Sequence, residues 1–261
     1  MRITIQELRS QKMALLVWSL SIGLLIAACV MMYPDMKSQM EGVNKMFSSM
    51  GNFTAAFGMD ELNFGSMMGF YAIEGGNVLG IGGALFAALT ATSSLMKEER
   101  DKTSEFLFTH PVSRVRVITE KLVSVVLIIL VLNAIVLALS YGSVLAIGEE
   151  VEMKEFLLLH LAYLLMQLEI AGICFGISAF IKNGGLGIGI GIAGFMYILN
   201  IVSNISDDAK PLKYITAFSY TEASDIIKTG KLDTGYLIPG MILMVVGIAV
   251  GYIRYSRKDL S

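Results

Sequence analysis

Six stretches of this chain are long, apolar and almost free of charge. Met13–Tyr33, Gly75–Met96, Leu122–Gly148, Asn183–Ser206 and Thr234–Ile253 contain no Asp, Glu, Lys or Arg, and Phe156–Ile181 contains only Glu169. A helix of about 20 mostly apolar residues crosses the hydrocarbon core of a bilayer. A soluble α/β fold would have to bury six uncharged helices of membrane length in one core. Charged residues make up 16% of the chain, against about 25% in soluble domains. The pattern predicts an all-α polytopic membrane protein with six transmembrane helices, forming one transmembrane domain over residues 1–261.

Six spans place both termini on one side. That side carries 13 of the 20 Lys and Arg residues, including Arg2, Arg9, Lys12 and six within Lys97–Lys121; the other side carries 7. Basic loops stay in the cytoplasm, so the termini and Lys97–Lys121 are expected there, and the alternate loops outside. The net charge of −2 gives no reason to expect a nucleic-acid partner. Cys29 and Cys174 both fall within spans, where packing is their expected role. The run Ile26-Ala27-Ala28-Cys29 resembles a bacterial lipoprotein cleavage box; five further spans follow it, and an uncleaved chain is expected.

Residues 1–12 set Ile5 and Leu8 against Arg2, Glu7, Arg9 and Lys12. This suits a short amphipathic helix on the membrane surface, with a frayed terminus as the alternative. In the outer segment Pro34–Glu74, Met36, Met40, Val43, Phe47, Met50 and Phe53 recur at helical spacing, so a helix is expected there too. Seven of the 17 methionines lie in this segment. Thioethers can bind Cu(I), but no His or Cys accompanies them, and packing is the expected role. The two histidines, His110 and His160, are placed on opposite faces of the membrane, so no shared metal site is expected.

Span five contains Gly184, Gly185, Gly187, Gly189, Gly191 and Gly194. GIGIAG over Gly189–Gly194 matches the dinucleotide fingerprint in letters only, because no strand–turn–helix unit surrounds it. A lone strand in lipid would leave its backbone unsatisfied, so a helix is expected. Gly187 and Gly191 form a small-xxx-small pair suited to close helix packing. In the outer segment Asp207–Asp233, Thr221 through Ile227 suit a short helix stopped by Gly230.

The chain has no GxxxxGK[ST], GxSxG or HExxH. It therefore has no P-loop of its own, and no clustered acid, base and nucleophile can be assembled from it. An enzyme is therefore disfavoured, and no catalytic, cofactor or metal residues are expected. Polar residues inside spans carry more meaning. Glu169, with Gln167 near it, lies in span four and Asn133 lies in span three. An ionisable group at bilayer depth is costly and marks function by default; a protonated or paired Glu169 that joins helices is the structural alternative. These three residues are candidates for a translocation path. His160, nearer the interface, is expected to be wet.

Residues Lys97–Lys121 hold 11 of the chain's 42 charged residues. Lys97–Phe108 suits a helix of mixed charge, and Pro111 suits the first turn of a second helix running through Arg114 and Arg116 into span three. Glu99-Arg100-Asp101-Lys102-Thr103-Ser104-Glu105-Phe106-Leu107, then Pro111-Val112-Ser113-Arg114 and Lys121, resembles the first cytoplasmic loop of type-2 ABC transporter permeases. That family often has Gly before the Thr, where this chain has Lys102. The topology and the outer sequences Ala217-Phe218-Ser219-Tyr220 and Ile226–Gly230 resemble the family as well.

The resemblance implies a multi-pass permease of the bacterial plasma membrane. Its partners would be a separate P-loop ATP-binding subunit, which holds the ATP and Mg²⁺, and a second permease chain in a homodimer or heterodimer. The cytoplasmic loop would carry a coupling helix, with Glu98, Glu99, Arg100, Glu105, Phe106, Leu107, Pro111 and Arg114 at the ATPase interface. By the same analogy the substrate moves outward. The rival reading is a stand-alone ion-coupled secondary transporter or channel that uses Glu169; such transporters often carry inverted repeats, and none is evident.

Overall fold

Backbone groups in hydrocarbon find no water, so long apolar segments satisfy them internally as helices. In the computed structural model all six apolar stretches are helical, and no strand occurs among the described residues. The structure describes residues 2–37, 39, 42, 44–46, 50–51, 54, 56, 62–63, 65–100, 113–181 and 185–257. The spans are α1 (Arg2–Lys37), α2 (Met67–Arg100), α3 (Arg114–Ala146), α4 (Met153–Ser178), α5 (Gly185–Ile205) and α7 (Thr234–Arg257), with the short α6 (Ala223–Thr229) before the last.

Two expectations about helix ends change. The N-terminal segment is neither a separate surface helix nor frayed; it runs unbroken into the first span as α1. Its polar residues Thr4 and Glu7 are buried, while Ile5 is exposed. Polar partners on α3 explain this inversion, as described below. The helix that passes through Arg114 and Arg116 is α3 itself, which starts after Ser113. The Ser113 side chain accepts a hydrogen bond from the Arg116 N–H and so caps one free donor. Of the expected helix over 36–53, residues 42 and 44–46 are helical, and the others beyond Lys37 that are described are turn or bend.

α2 and α4 form the centre of the bundle and α7 is its least buried span. Small residues on α2 make this possible. Ala84, Ala87, Ala88 and Ala91 are buried, and Gly76 and Gly80 leave room for the Tyr163 ring. Gly83 similarly receives the Gln167 amide. The opposite face of α4 meets α7 through Gly172 and Gly176, which lie against Met244, Gly247 and Gly251. Both helices run in the same direction here, because later residues of one meet later residues of the other.

This is the small-residue crossing the sequence pattern called for, but on other helices. Gly187 and Gly191 of α5 have no atom of another helix within 4 Å of where a Cβ would sit, among the described residues. Gly189, between them, is against α2, at the Ala88 carbonyl and Thr92 hydroxyl.

Between α5 and α7 the chain does not simply cross over the end of the bundle. After a 3₁₀ turn at Asp207–Tyr214 it turns back toward the bundle. The Thr216 hydroxyl donates to the Met196 carbonyl at 2.7 Å, level with the middle of α5. Ala217, Phe218, Ser219, Tyr220 and Thr221 are all buried. Irregular backbone at this depth is tolerated because protein surrounds it. The following α6 ends at Gly230, which has φ 59° and ψ 31°, as the sequence predicted. A side chain in this left-handed conformation is strained by about 1–2 kcal/mol. Gly230→Ala should therefore lower the unfolding free energy of the detergent-solubilised protein by about that amount, while Gly142→Ala, with open space around it, should not.

Candidate functional site

The end of the bundle that carries both termini holds a buried cluster of charges. Glu7 of α1 is its hub. Lys121 Nζ lies 3.4 Å from Glu7 Oε1 and donates to the Ser94 carbonyl at 2.5 Å. Lys97 Nζ lies 3.3 Å from Glu7 Oε2 and 2.8 Å from the Ser10 hydroxyl. One turn away, Glu120 Oε2 accepts from the Ile3 N–H at 2.9 Å, and Arg116 Nε donates to Glu120 Oε1 at 3.0 Å. The Thr4 hydroxyl closes the pair of helices by donating to the Glu120 carbonyl.

Lys121 is fully buried and Glu7 nearly so. Burying both charges is costly, and removing one partner alone costs about 3–5 kcal/mol. The cluster joins α1 to the last turns of α2 and the first turns of α3. These are the two ends of the loop 97–121. Nearby, the Tyr252 hydroxyl of α7 donates to Thr119 Oγ1 at 2.8 Å, and the Arg254 guanidinium stacks over the Phe180 ring. Polar ties thus join α1, α2, α3 and α7 at this face, and the cation–π contact reaches the segment just after α4.

Of the residues expected to meet an ATPase, Glu105, Phe106, Leu107 and Pro111 lie outside the described residues. Glu98, Glu99 and Arg100 end α2 in helical backbone, with side chains outside the described set. Arg114, half-buried, opens α3. Lys121 was read only as a basic residue opening the span, and Glu7 as a residue facing water. The signal that marks the cluster is the spacing Thr4, Glu7, Ser10, a polar stripe along one face of α1.

The three residues proposed for a path separate into two places. Asn133 Nδ2 donates to Gln167 Oε1 at 2.7 Å and to the Ile129 carbonyl at 2.9 Å, so these amides clamp α3 to α4 beside Gly83 of α2. Glu169, two residues from Gln167, points to another side. Its Oε2 accepts from the Tyr220 hydroxyl at 2.8 Å. Its Oε1 has no partner among the described residues, and the carboxyl rests against Gly240 of α7, where a Cβ would collide with it. Glu169 is fully buried.

His160 overturns its expectation. It is buried rather than wet, 2.7 Å from the Tyr71 hydroxyl through Nε2, and the rings of Tyr71 and Phe156 cover it. A face of aromatic side chains, not visible from the span's hydropathy, excludes water there.

Toward the opposite face, α2, α4, α5 and the re-entering segment enclose a cavity of about 60 Å³. Asn77, Tyr163, Tyr197, Asn200, Asn204 and Glu222 line it. Glu222 Oε1 pairs with Lys213 Nζ at 3.0 Å, both half-buried. Burial pushes the Glu222 carboxyl above its ordinary range, and the Lys213 ammonium pulls it back. None of these six was chosen from sequence, although Tyr197, Asn200 and Asn204 share one helical face. Among the described residues no three His, Cys, Asp or Glu side chains are grouped to hold a metal.

Among curated proteins, none matches this sequence. The protein family described as ABC-2 family transporter protein matches residues 1–260. With that match over almost its whole length and six membrane-length helices, this chain belongs to that family and is a multi-pass ABC transporter permease.

Proposed function

We propose that the chain is the membrane half of an ATP-driven exporter in the bacterial plasma membrane. Hydrolysis takes place on a separate P-loop ATPase that binds the ATP and Mg²⁺, and a second permease chain, identical or not, completes the unit. Both termini and the loop 97–121 lie in the cytoplasm. The observation that carries this reading is the Glu7–Lys121 cluster. It fastens both ends of the loop to α1, so a push on the loop reaches three spans together.

In this reading Glu98, Glu99, Arg100, Glu105 and Arg114 fix the register of the ATPase, Pro111 lies in the same interface, and Phe106 and Leu107 fill a groove on it. ATP favours one of two conformers, and the permease changes its access with it. Asn133, Gln167 and Glu169 are the polar groups offered to the path when the helices part. The Tyr220–Glu169 bond must then yield or travel with the outer segment.

The test is affinity purification of the tagged chain in mild detergent, with mass spectrometry and an ATPase assay. A P-loop ATPase should co-purify, and the paired change Phe106→Asp, Leu107→Asp should cut its recovery and transport at least tenfold. An intact, active complex from this variant would move the contact elsewhere. Recovery of the permease with no ATPase would favour an ion-coupled transporter and put Glu169 first for mutation.

A further inference from the structure

The cavity near the face opposite the termini has an unusual balance of groups. Asn200 and Asn204 stand one turn apart on α5 and line it together. The Oδ1 of each is buried with no hydrogen-bond partner among the described residues. Leaving a buried acceptor unpaired costs about 1–3 kcal/mol, so a bare pair points to a donor from elsewhere. The third acceptor is the Glu222 carboxyl, which also takes a hydrogen bond from the Asn204 amide. Its cation, Lys213, approaches from outside the lining, and among the described residues no Lys or Arg side chain is part of the wall. Tyr163 and Tyr197 supply aromatic wall beside these oxygens.

Carbonyl oxygens, a carboxylate and aromatic rings around a small space are complementary to a positively charged group with several N–H donors. We propose that this cavity binds a primary ammonium group. The available space of about 60 Å³ corresponds to about four water molecules, which fits an ammonium head with two or three carbons. A free amine and the ethanolamine headgroup of a phospholipid share this chemistry. An ammonium bonded to the Asn200 and Asn204 oxygens would also join α5 to the segment that carries Glu222, and so hold the outer wall closed.

The site is tested on the full chain in phosphatidylcholine nanodiscs, by thermal unfolding during titration with ethylammonium chloride. The expected result is a saturable rise in the midpoint, absent with ethanol and with NaCl at the same ionic strength. Glu222→Gln and Asn200→Leu should each raise the half-effect concentration at least tenfold. Asn200→Leu leaves the Lys213–Glu222 pair alone, so it serves if Glu222→Gln does not fold. Nanodiscs containing phosphatidylethanolamine separate the sources. A response suppressed there identifies the lipid headgroup as occupant, and an equal response identifies a soluble amine. No rise in phosphatidylcholine, an equal rise with ethanol or NaCl, or an undiminished rise in the folded variants would overturn the site. The assay contains no nucleotide and no ATPase, so that failure would leave the permease reading standing.

Discussion

Lys121→Met is expected to destabilise the permease by about 3–5 kcal/mol, measured as unfolding in mixed detergent micelles. The lysine side chain is fully buried, with its ammonium on Glu7 and on the Ser94 carbonyl. Methionine keeps most of the volume but removes the charge. Glu7 is then left nearly buried with the Lys97 ammonium beside it, and Lys97 is itself partly exposed to water. The double variant Glu7→Gln, Lys121→Met removes both charges and should recover most of the loss. Contacting residues of this kind are not additive. If the double variant lost the sum of the two single losses, packing rather than charge would explain the site.

The second large effect is expected at the crossing of α4 and α7. A Cβ on Gly176 would run into the carbonyl and backbone of Gly247. Backbone cannot step aside as a flexible side chain can, so the helices must separate. Gly176→Val should cost about 3 kcal/mol and lower the recovery of folded protein. Gly187→Ala is the matched control. It adds its methyl where no protein atom lies within 4 Å, and it replaces a poor helix former with the best one, so a gain of up to about 1 kcal/mol is expected. Equal losses in the two variants would mean that glycine content, and not this crossing, holds the helices.

The spans were legible because hydropathy is a local property. Each predicted span falls on one of the six membrane-length helices, several of which extend well beyond it, and Gly230 was readable as a helix stop because a left-handed residue is a local demand. Pairing between helices was not legible. Gly187/Gly191 and Gly172/Gly176 carry the same spacing, and only three-dimensional packing shows that the second pair is the one in contact. Glu7 was misread for a similar reason. A carboxylate near the membrane faces water unless a cation waits for it, and Lys121 lies more than a hundred residues away in the chain. The amides Asn133 and Gln167 stand out in the sequence as polar groups inside spans, but nothing local shows that they bond each other while Glu169 turns to Tyr220. His160 was read as wet because the aromatic cover from Tyr71 comes from another span.

The continuity of α1 has a mechanical meaning. At 36 residues the helix is ~54 Å long, well beyond the ~30 Å of the hydrocarbon core. One end is held by Glu120 and the lysines beside Glu7. The other end is held by the Tyr33 hydroxyl on the Gly65 carbonyl and by Lys37 on Glu149. A tilt of ~5° about its centre displaces each end by ~2 Å in opposite directions, given that length. Such a helix acts as a lever, needing no chain of side-chain rearrangements through the bilayer: a pull at the Glu7 end is felt at the same moment by the Tyr33 and Lys37 contacts at the other end.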